Sequence, residues 1–398
     1  MGKTCDILIS GGGIAGLTAA AAFGAAGFDV ICVDPAPPVT TRDSDGADLR
    51  TTAFLQPARM LLCDCGLWAR LEPHAMPLEI MRIVDAGGDD SNPRLVRDFK
   101  ASEISDQPFG WNLPNWLLRR ELLAHLDGLD RVDFRPGIGA TSLFTRTDTA
   151  RVGLSDGRRI IARLVVAADG RASPMRGAAG IGIKTRRYGQ KALAFAVTHV
   201  RAHDNISTEI HRSGGPFTMV PLPDYQGRPS SAIVWMERGP KAQALLALEE
   251  GEFEAAMNLR SCGLLGDLTL ASRRSIWPII SQVAEQMAGQ RLALMAEAAH
   301  VLPPIGAQGL NTSLSDLRAL LDLATARREG LGDAQMLDAY HKARIRDVKL
   351  RVQGIDLLNR ASMAGLRPLR DARALGLNAL HALKPVRRAL MRMGLGVR

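Results

Sequence analysis

The sequence predicts an α/β chain, α+β overall: a parallel βαβ domain assembled from sequence-distant pieces, interrupted by a mostly antiparallel insertion and closed by C-terminal helices. Three observations predict it. Residues 4–34 read strand, glycine turn, helix, strand, the order of a parallel βαβ unit. Leu193–Val200, Phe217–Leu222 and Ala232–Glu237 read as strands without long helices between them, which favours antiparallel pairing. From residue 311 onward the pattern is one of long helices. At roughly 150 residues per domain, a chain of 398 residues has room for about two or three.

Taken in order, Ile7-Leu8-Ile9 is a buried strand that runs into a glycine cluster and an Ala-rich helix. Residues 7–28 carry no charge and are long enough to cross a bilayer, yet six of them are Gly, which argues against a membrane span. Helical patterns follow at 54–65 and 115–127, with strands at Met81–Val84 and Leu95–Phe99 between them. Val132–Phe134 and Ala150–Leu154 are strands, the second turning at Asp156-Gly157 into Ile160–Ala167. A helix covers 251–262, and a last strand at Leu292–Met295 leads into a Pro/Gly-rich loop. The expected division is 1–75, 100–180 and 276–335 for the βαβ domain, 76–99 and 181–275 for the insertion, and 336–398 for the C-terminal helices.

Hydrophobic residues at 46% and charged residues at 23% exclude a disordered chain. Five cysteines form an odd set, and Cys63-Asp64-Cys65 lacks the second pair a metal site needs, so no metal is expected. No secretory leader opens the chain, which makes a cytoplasmic location the expectation, with a peripheral place on the inner face of the membrane as its refinement. The net charge of +9 is concentrated: residues 361–398 hold eight Lys/Arg against one acid, Asp371. No nucleic-acid recognition motif accompanies it, and nucleic acid is not an expected partner. Instead Leu383, Val386, Leu390 and Met393 fall on one helical face and His381, Lys384, Arg388 and Arg392 on another, the pattern of a helix at an anionic membrane surface, broken or restarted at Pro385. A solvated or partner-packed helix is the other reading.

Three glycine-bearing motifs carry the chemistry. Gly11-Gly12-Gly13-Ile14-Ala15-Gly16 has G-x-G-x-x-G spacing between strand and helix. Gly11 permits the tight turn, Gly13 lets a pyrophosphate approach the helix N-terminus at Ile14 and Ala15, and Gly16 lets helix and strand pack closely. Asp34, at the end of the next strand, is placed for a ribose hydroxyl. These features make the domain Rossmann-like and dinucleotide-binding. The second motif, Val165–Ser173, is an apolar strand ending in Asp169-Gly170. The third, Leu292–Asn311, is a strand ending at Glu297, then a loop through Pro304, Gly306, Gln308, Gly309 and Leu310 to a helix expected near Asn311, whose N-terminus would stabilise an anion such as a reduced flavin.

In this order and spacing the motifs resemble the class A flavin monooxygenases of the para-hydroxybenzoate hydroxylase fold, and specifically the ubiquinone-biosynthesis hydroxylase family, over about residues 4–350. Asp48–Ala53, Asn115–Arg119, Tyr188–Ala192 and Val220–Pro223 are similar to that family's own segments. The resemblance implies bound FAD held by Gly11, Gly13, Gly16 and Asp34, with Arg50 and Arg119 contacting it. Asp169 would touch FAD and a transient NADH or NADPH, Glu297 would hold the ribityl chain, and Pro304–Asn311 would lie along the ring. It further implies an NAD(P)H- and O2-dependent hydroxylase acting on a polyprenylated phenol, with other quinone-biosynthesis proteins as partners. The flavin carries the hard step, so no protein nucleophile is expected. The sequence departs from the fold's usual Gly-Asp at Ala296-Glu297 and from its usual Glu at Asp34. His300 is expected to orient the Pro303-Pro304 loop, and Tyr188 and Trp235 are candidates for the substrate cavity or ordinary core. A same-fold flavoprotein with another phenolic or prenyl substrate, and a non-catalytic flavoprotein subunit, are the alternatives.

Overall fold

The computed structural model describes residues 3–87, 92–212, 214–363 and 367–395; Arg398 and the side chains of Arg367, Arg370 and Arg373 in the basic tail lie outside the description. The first sheet is built on five parallel strands in the spatial order Leu292–Leu294, Arg159–Ala167, Lys3–Ser10, Val30–Asp34 and Val132–Pro136. Their interiors are apolar on both faces, as strands covered on both sides must be, and Ile7, Leu8, Ile9, Leu164, Val165 and Val166 are fully buried. The register sets Ser10 beside Ala167 and Ala167 beside Leu294. All three motifs therefore leave the sheet at one edge, the carboxyl ends of adjacent parallel strands, where α/β sheets bind ligands.

The second sheet has nine strands and is antiparallel apart from the pairing of Ile206–His211 with Ile80–Asp85. One face, with Leu193, Phe195, Val197, Phe217 and Trp235, packs on helices Gly239–Ala247 and Glu250–Ser261 through Ala242, Phe253 and Met257. On the opposite face Ala192, Met236 and Ile279 pack on Ile305 of the third motif and on Ile355. A small third sheet, Thr51–Leu55, Gly110–Pro114 and Met76–Leu78, joins the two, with Asn112 Nδ2 donating to Pro221 O at 2.9 Å.

Three expectations change. Ser275–Ala284 pairs with Ile183–Ala194, so residues from 276 onward do not return directly to the first sheet; the chain rejoins it at Ala288–Gly289. Met76–Leu78 pairs with Gly110–Pro114 rather than with the insertion. The helix expected near Asn311 spans Gln308–Ala326, because Gly306 and Ala307 take left-handed conformations (φ 63° and 55°) that turn the chain into it earlier. The C-terminal region forms a 29-residue helix, Ala334–Ser362, then two consecutive helices, Arg367–Ala382 and Lys384–Leu395, that meet at Leu383 beside Pro385, where the bonds Leu383 N to Ala379 O and Arg387 N to Leu383 O carry the helical pattern across the kink. Among the described residues no helix is long and apolar enough to cross a membrane.

Candidate functional site

The glycines of the first motif divide as their spacing predicts. A Cβ on Gly11 would lie 2.3 Å from Ala168 O, and one on Gly16 would lie 1.9 Å from Gly11 O, so both are excluded by packing. A Cβ on Gly13 would meet nothing within 4 Å: this glycine faces open space at the start of helix Ile14–Ala25. The first helical bond is Leu17 N to Gly13 O, which leaves the N–H groups of Ile14, Ala15 and Gly16 aimed outward with no side-chain cap. That is a cradle for a phosphate anion. Asp34 is tied into it, accepting from Gly12 N at 2.5 Å and Ala36 N at 2.8 Å, so it fixes the glycine turn to the end of its strand.

Asp169 sits beside this turn, its Oδ2 accepting from Ser10 Oγ at 3.1 Å and Met175 N at 3.2 Å. Among the described residues its Oδ1 is buried without a hydrogen-bond partner, and burial pushes its pKa up. A buried carboxylate oxygen left unpaired costs free energy unless a ligand group meets it. Arg171 Nε then reaches Glu297 Oε2 at 3.7 Å, and Glu297 in turn acts on Arg50. Arg50 is held by Asp48 (Nε–Oδ1 2.8 Å, Nη2–Oδ2 2.7 Å) and stacks 5.5 Å from the Trp277 ring centroid. Arg119 approaches the same carboxylate at 3.8 Å, and Asn115 donates to it at 3.0 Å. Burial alone would raise Asp48; the Arg50 and Asn115 hydrogen bonds and the Arg119 charge hold it below the usual carboxylate range. Gly11, Gly13, Asp169, Glu297, Arg50 and Arg119 thus form one connected constellation drawn from five stretches of sequence.

The loop of the third motif closes the far side. Gly306 and Ala307 in consecutive left-handed conformations, followed by uncapped Gln308–Ala326, present backbone N–H groups, and a Cβ on Gly309 would meet nothing within 4 Å. Asn311 is engaged by the chain: Nδ2 donates to Ala53 O and Ala307 O, and Oδ1 accepts from Leu55 N at 2.9 Å. Its side chain ties the loop to strand Thr51–Leu55. Gln308 is likewise engaged, accepting from Arg351 Nη1 at 2.8 Å and donating to Gly394 O at 3.1 Å.

Beneath the loop lies a buried ionic cluster that sequence reading missed. Asp316 accepts from His300 Nε2 at 2.6 Å and Arg344 Nε at 2.8 Å, and Ala296 N points at it from 3.4 Å. His300 is therefore the structural histidine expected. Ala296 adopts φ 55°, the left-handed region where glycine is favoured, which explains why a glycine is usual there. Trp235 is not in the cleft; it packs on Phe217 and Phe253 on the helix-covered face. Tyr188 packs with Trp277 and Leu302 in the cluster between the second sheet and the loop.

The cradle at Gly13, the unpaired Asp169 oxygen and the two arginines fit a flavin dinucleotide, and sequence comparison decides the matter. The FAD binding domain family matches residues 4–354. The chain belongs to that family. Ubiquinone hydroxylase UbiL of Rhodospirillum rubrum is 34% identical over 99% of this chain and 90% of its own length. The 3-demethoxyubiquinol 3-hydroxylase of Escherichia coli is 27% identical over 98% of both chains. In fold, p-nitrophenol 4-monooxygenase PnpA from Pseudomonas putida superposes with a TM-score of 0.79 at 18% identity, covering 100% of this chain and 99% of that one. This flavoprotein shares the overall fold of that monooxygenase along its length.

Proposed function

We propose that the protein is an FAD-dependent aromatic hydroxylase that uses NAD(P)H and O2 on a polyprenylated phenol of ubiquinone biosynthesis. The observation that carries the reading is the delivery of the glycine turn, Asp169 and Glu297 from three adjacent parallel strands to one edge, facing a loop that presents N–H groups. Bound FAD, reduced by a nicotinamide cofactor, supplies the oxygen transfer from O2 to an electron-rich ring. The chain's own groups bind and orient. Ile14–Gly16 N–H groups take the pyrophosphate, Asp34 and Glu297 the ribose and ribityl hydroxyls, and Arg50 and Arg119 the negative charge near them. The N-terminus of Gln308–Ala326 stabilises negative charge on the ring system.

The face of the second sheet opposite its helices closes the cleft. Val234 and Trp277, partly buried against Ala192 and Met236, make it apolar there, which would keep water from the reacting ring and suits a phenol with a hydrocarbon tail. A polyprenyl chain partitions into lipid, so a peripheral place on the inner face of the membrane, beside other quinone-biosynthesis proteins, belongs to the same reading. The test is NAD(P)H oxidation by the FAD-loaded protein with a prenylphenol: the reading expects stimulated oxidation and a hydroxylated product, and a flavin-free protein or an unchanged substrate would refute it.

A further inference from the structure

The kinked C-terminal helix, Arg367–Ala382 continued by Lys384–Leu395, has two unlike faces. Its inner face is docked on the enzyme. Arg387 Nε donates to Glu103 at 3.0 Å, Arg94 Nη1 reaches Asp371 at 2.6 Å, and His381 lies 3.1 Å from Asp98 O and edge-on to Phe99. These contacts cover Leu95–Lys100, the edge strand of the second sheet, whose free backbone groups would otherwise invite another strand. Met391 and Leu395 are buried against Leu55, Ala101 and Phe109, and Gly394 O accepts from Gln308. The last turn of the chain described thus rests on the flavin loop, at the rim of the cleft.

The outer face is of another kind. Val386, Leu390 and Met393 follow one another at helical spacing and are 39%, 42% and 67% exposed, next to Leu383 at 56% and Leu375 at 71%. Arg387, Met391 and Leu395, displaced around the helix, take the inner side, while Lys384, Arg388 and Arg392 are exposed beside the apolar stripe. A contiguous exposed apolar surface of this kind marks an interaction site. With eight basic residues against one acid over 361–398, two copies would bring like charges together, whereas an anionic surface is complementary. A shallow surface groove lined by Lys100, Glu103, His381 and Arg387 runs beside the docked inner side.

We propose that the outer face of this kinked C-terminal helix seats the enzyme on an anionic lipid bilayer, turning the rim of the cleft at Gln308 and Gly394 toward the lipid so that the substrate enters without crossing water. The inference rests on the polyprenylphenol reading. It is tested with the full-length, FAD-loaded protein on phosphatidylcholine vesicles with and without phosphatidylglycerol. The variants are V386D/L390D, which changes the stripe, and R388Q/R392Q, which removes charge. Two substrates are compared, a long-chain prenylphenol in the vesicles and a short-chain one in solution.

The wild type should sediment with phosphatidylglycerol vesicles, and both variants should lose about tenfold in binding and in kcat/KM on the vesicle-borne substrate. Their FAD content and their activity on the soluble substrate should be unchanged. Vesicle binding unaffected by either variant overturns the proposal, and so does an equal loss on both substrates, which would mark the C-terminal helix as structural. Vesicle binding that persists while a co-purifying protein is lost assigns the face to a protein partner instead. Failure of the wild type to hydroxylate either substrate, with vesicle binding intact, would count against the polyprenylphenol reading alone.

Discussion

Replacing Asp316 by Asn probes how the third motif is held. Asp316 and His300 are almost fully buried, and Asp316 accepts from His300 Nε2 at 2.6 Å and Arg344 Nε at 2.8 Å. Burial by itself would raise its pKa; the His300 and Arg344 contacts lower it, so the carboxylate is charged and paired. Asn keeps the shape but offers one acceptor oxygen and turns a donor toward one of two donors. Removing one partner of a buried ion pair leaves the other charge uncompensated, at about 3–5 kcal/mol. Urea unfolding of the apoprotein followed by tryptophan fluorescence should show that loss, and flavin fluorescence should show weaker FAD retention, because Ala296 and the Glu297 turn hang from the same carboxylate. Replacing the whole cluster by apolar residues, D316L with H300L and R344M, should cost less than the single change, since whole buried ionic groups are often replaceable. A single-variant loss under about 1 kcal/mol with FAD held as in the wild type would refute the reasoning.

The glycines make a matched pair: G13A should fold within about 0.5 kcal/mol of the wild type because its Cβ meets no protein atom, yet lose about tenfold or more in FAD affinity, while G16A should lose the fold, as circular dichroism and flavin titration would show. Ala296→Gly should raise apoprotein stability by about 0.5 kcal/mol or more, the left-handed cost of about 1–2 kcal/mol for Ala outweighing glycine's entropy of about 0.5–1 kcal/mol, read as a higher Tm. Asp169→Asn should stabilise the apoprotein and do so increasingly with pH. A carboxyl whose folded pKa is raised costs nothing below its unfolded value of about 3.9 and destabilises as pH rises through the folded value, so the two melting curves should coincide near pH 3 and separate toward neutrality. The same variant should slow flavin reduction by NAD(P)H, measured by stopped flow.

The parallel unit and its cofactor turn were legible because their information is local: strand, glycine spacing and acid lie within residues 4–34. The long strand Ser275–Ala284 was missed because Pro278 and two polar residues blur its alternation, and only pairing with Ile183–Ala194 makes it a strand. The Asp48–Arg50–Asn115–Arg119 cluster joins segments whose proximity no spacing rule encodes, and it was reached only through family resemblance. Asp316 left a signal that went unused: it is a lone acid on the face of Leu314, Leu317, Leu320 and Leu321, where an unpaired charge could not remain. The three hydrogen bonds by which the Asn311 side chain holds the loop to Ala53, Leu55 and Ala307 are visible only in three dimensions.

The central claim is oxygen transfer by a bound flavin. Isotope-labelled O2 supplied to the FAD-loaded enzyme with NAD(P)H and a prenylphenol tests it most directly, with the product analysed by mass spectrometry. The account predicts one labelled oxygen on the aromatic ring for each nicotinamide oxidised. Product without label, or nicotinamide consumed to hydrogen peroxide with the phenol untouched, would contradict it.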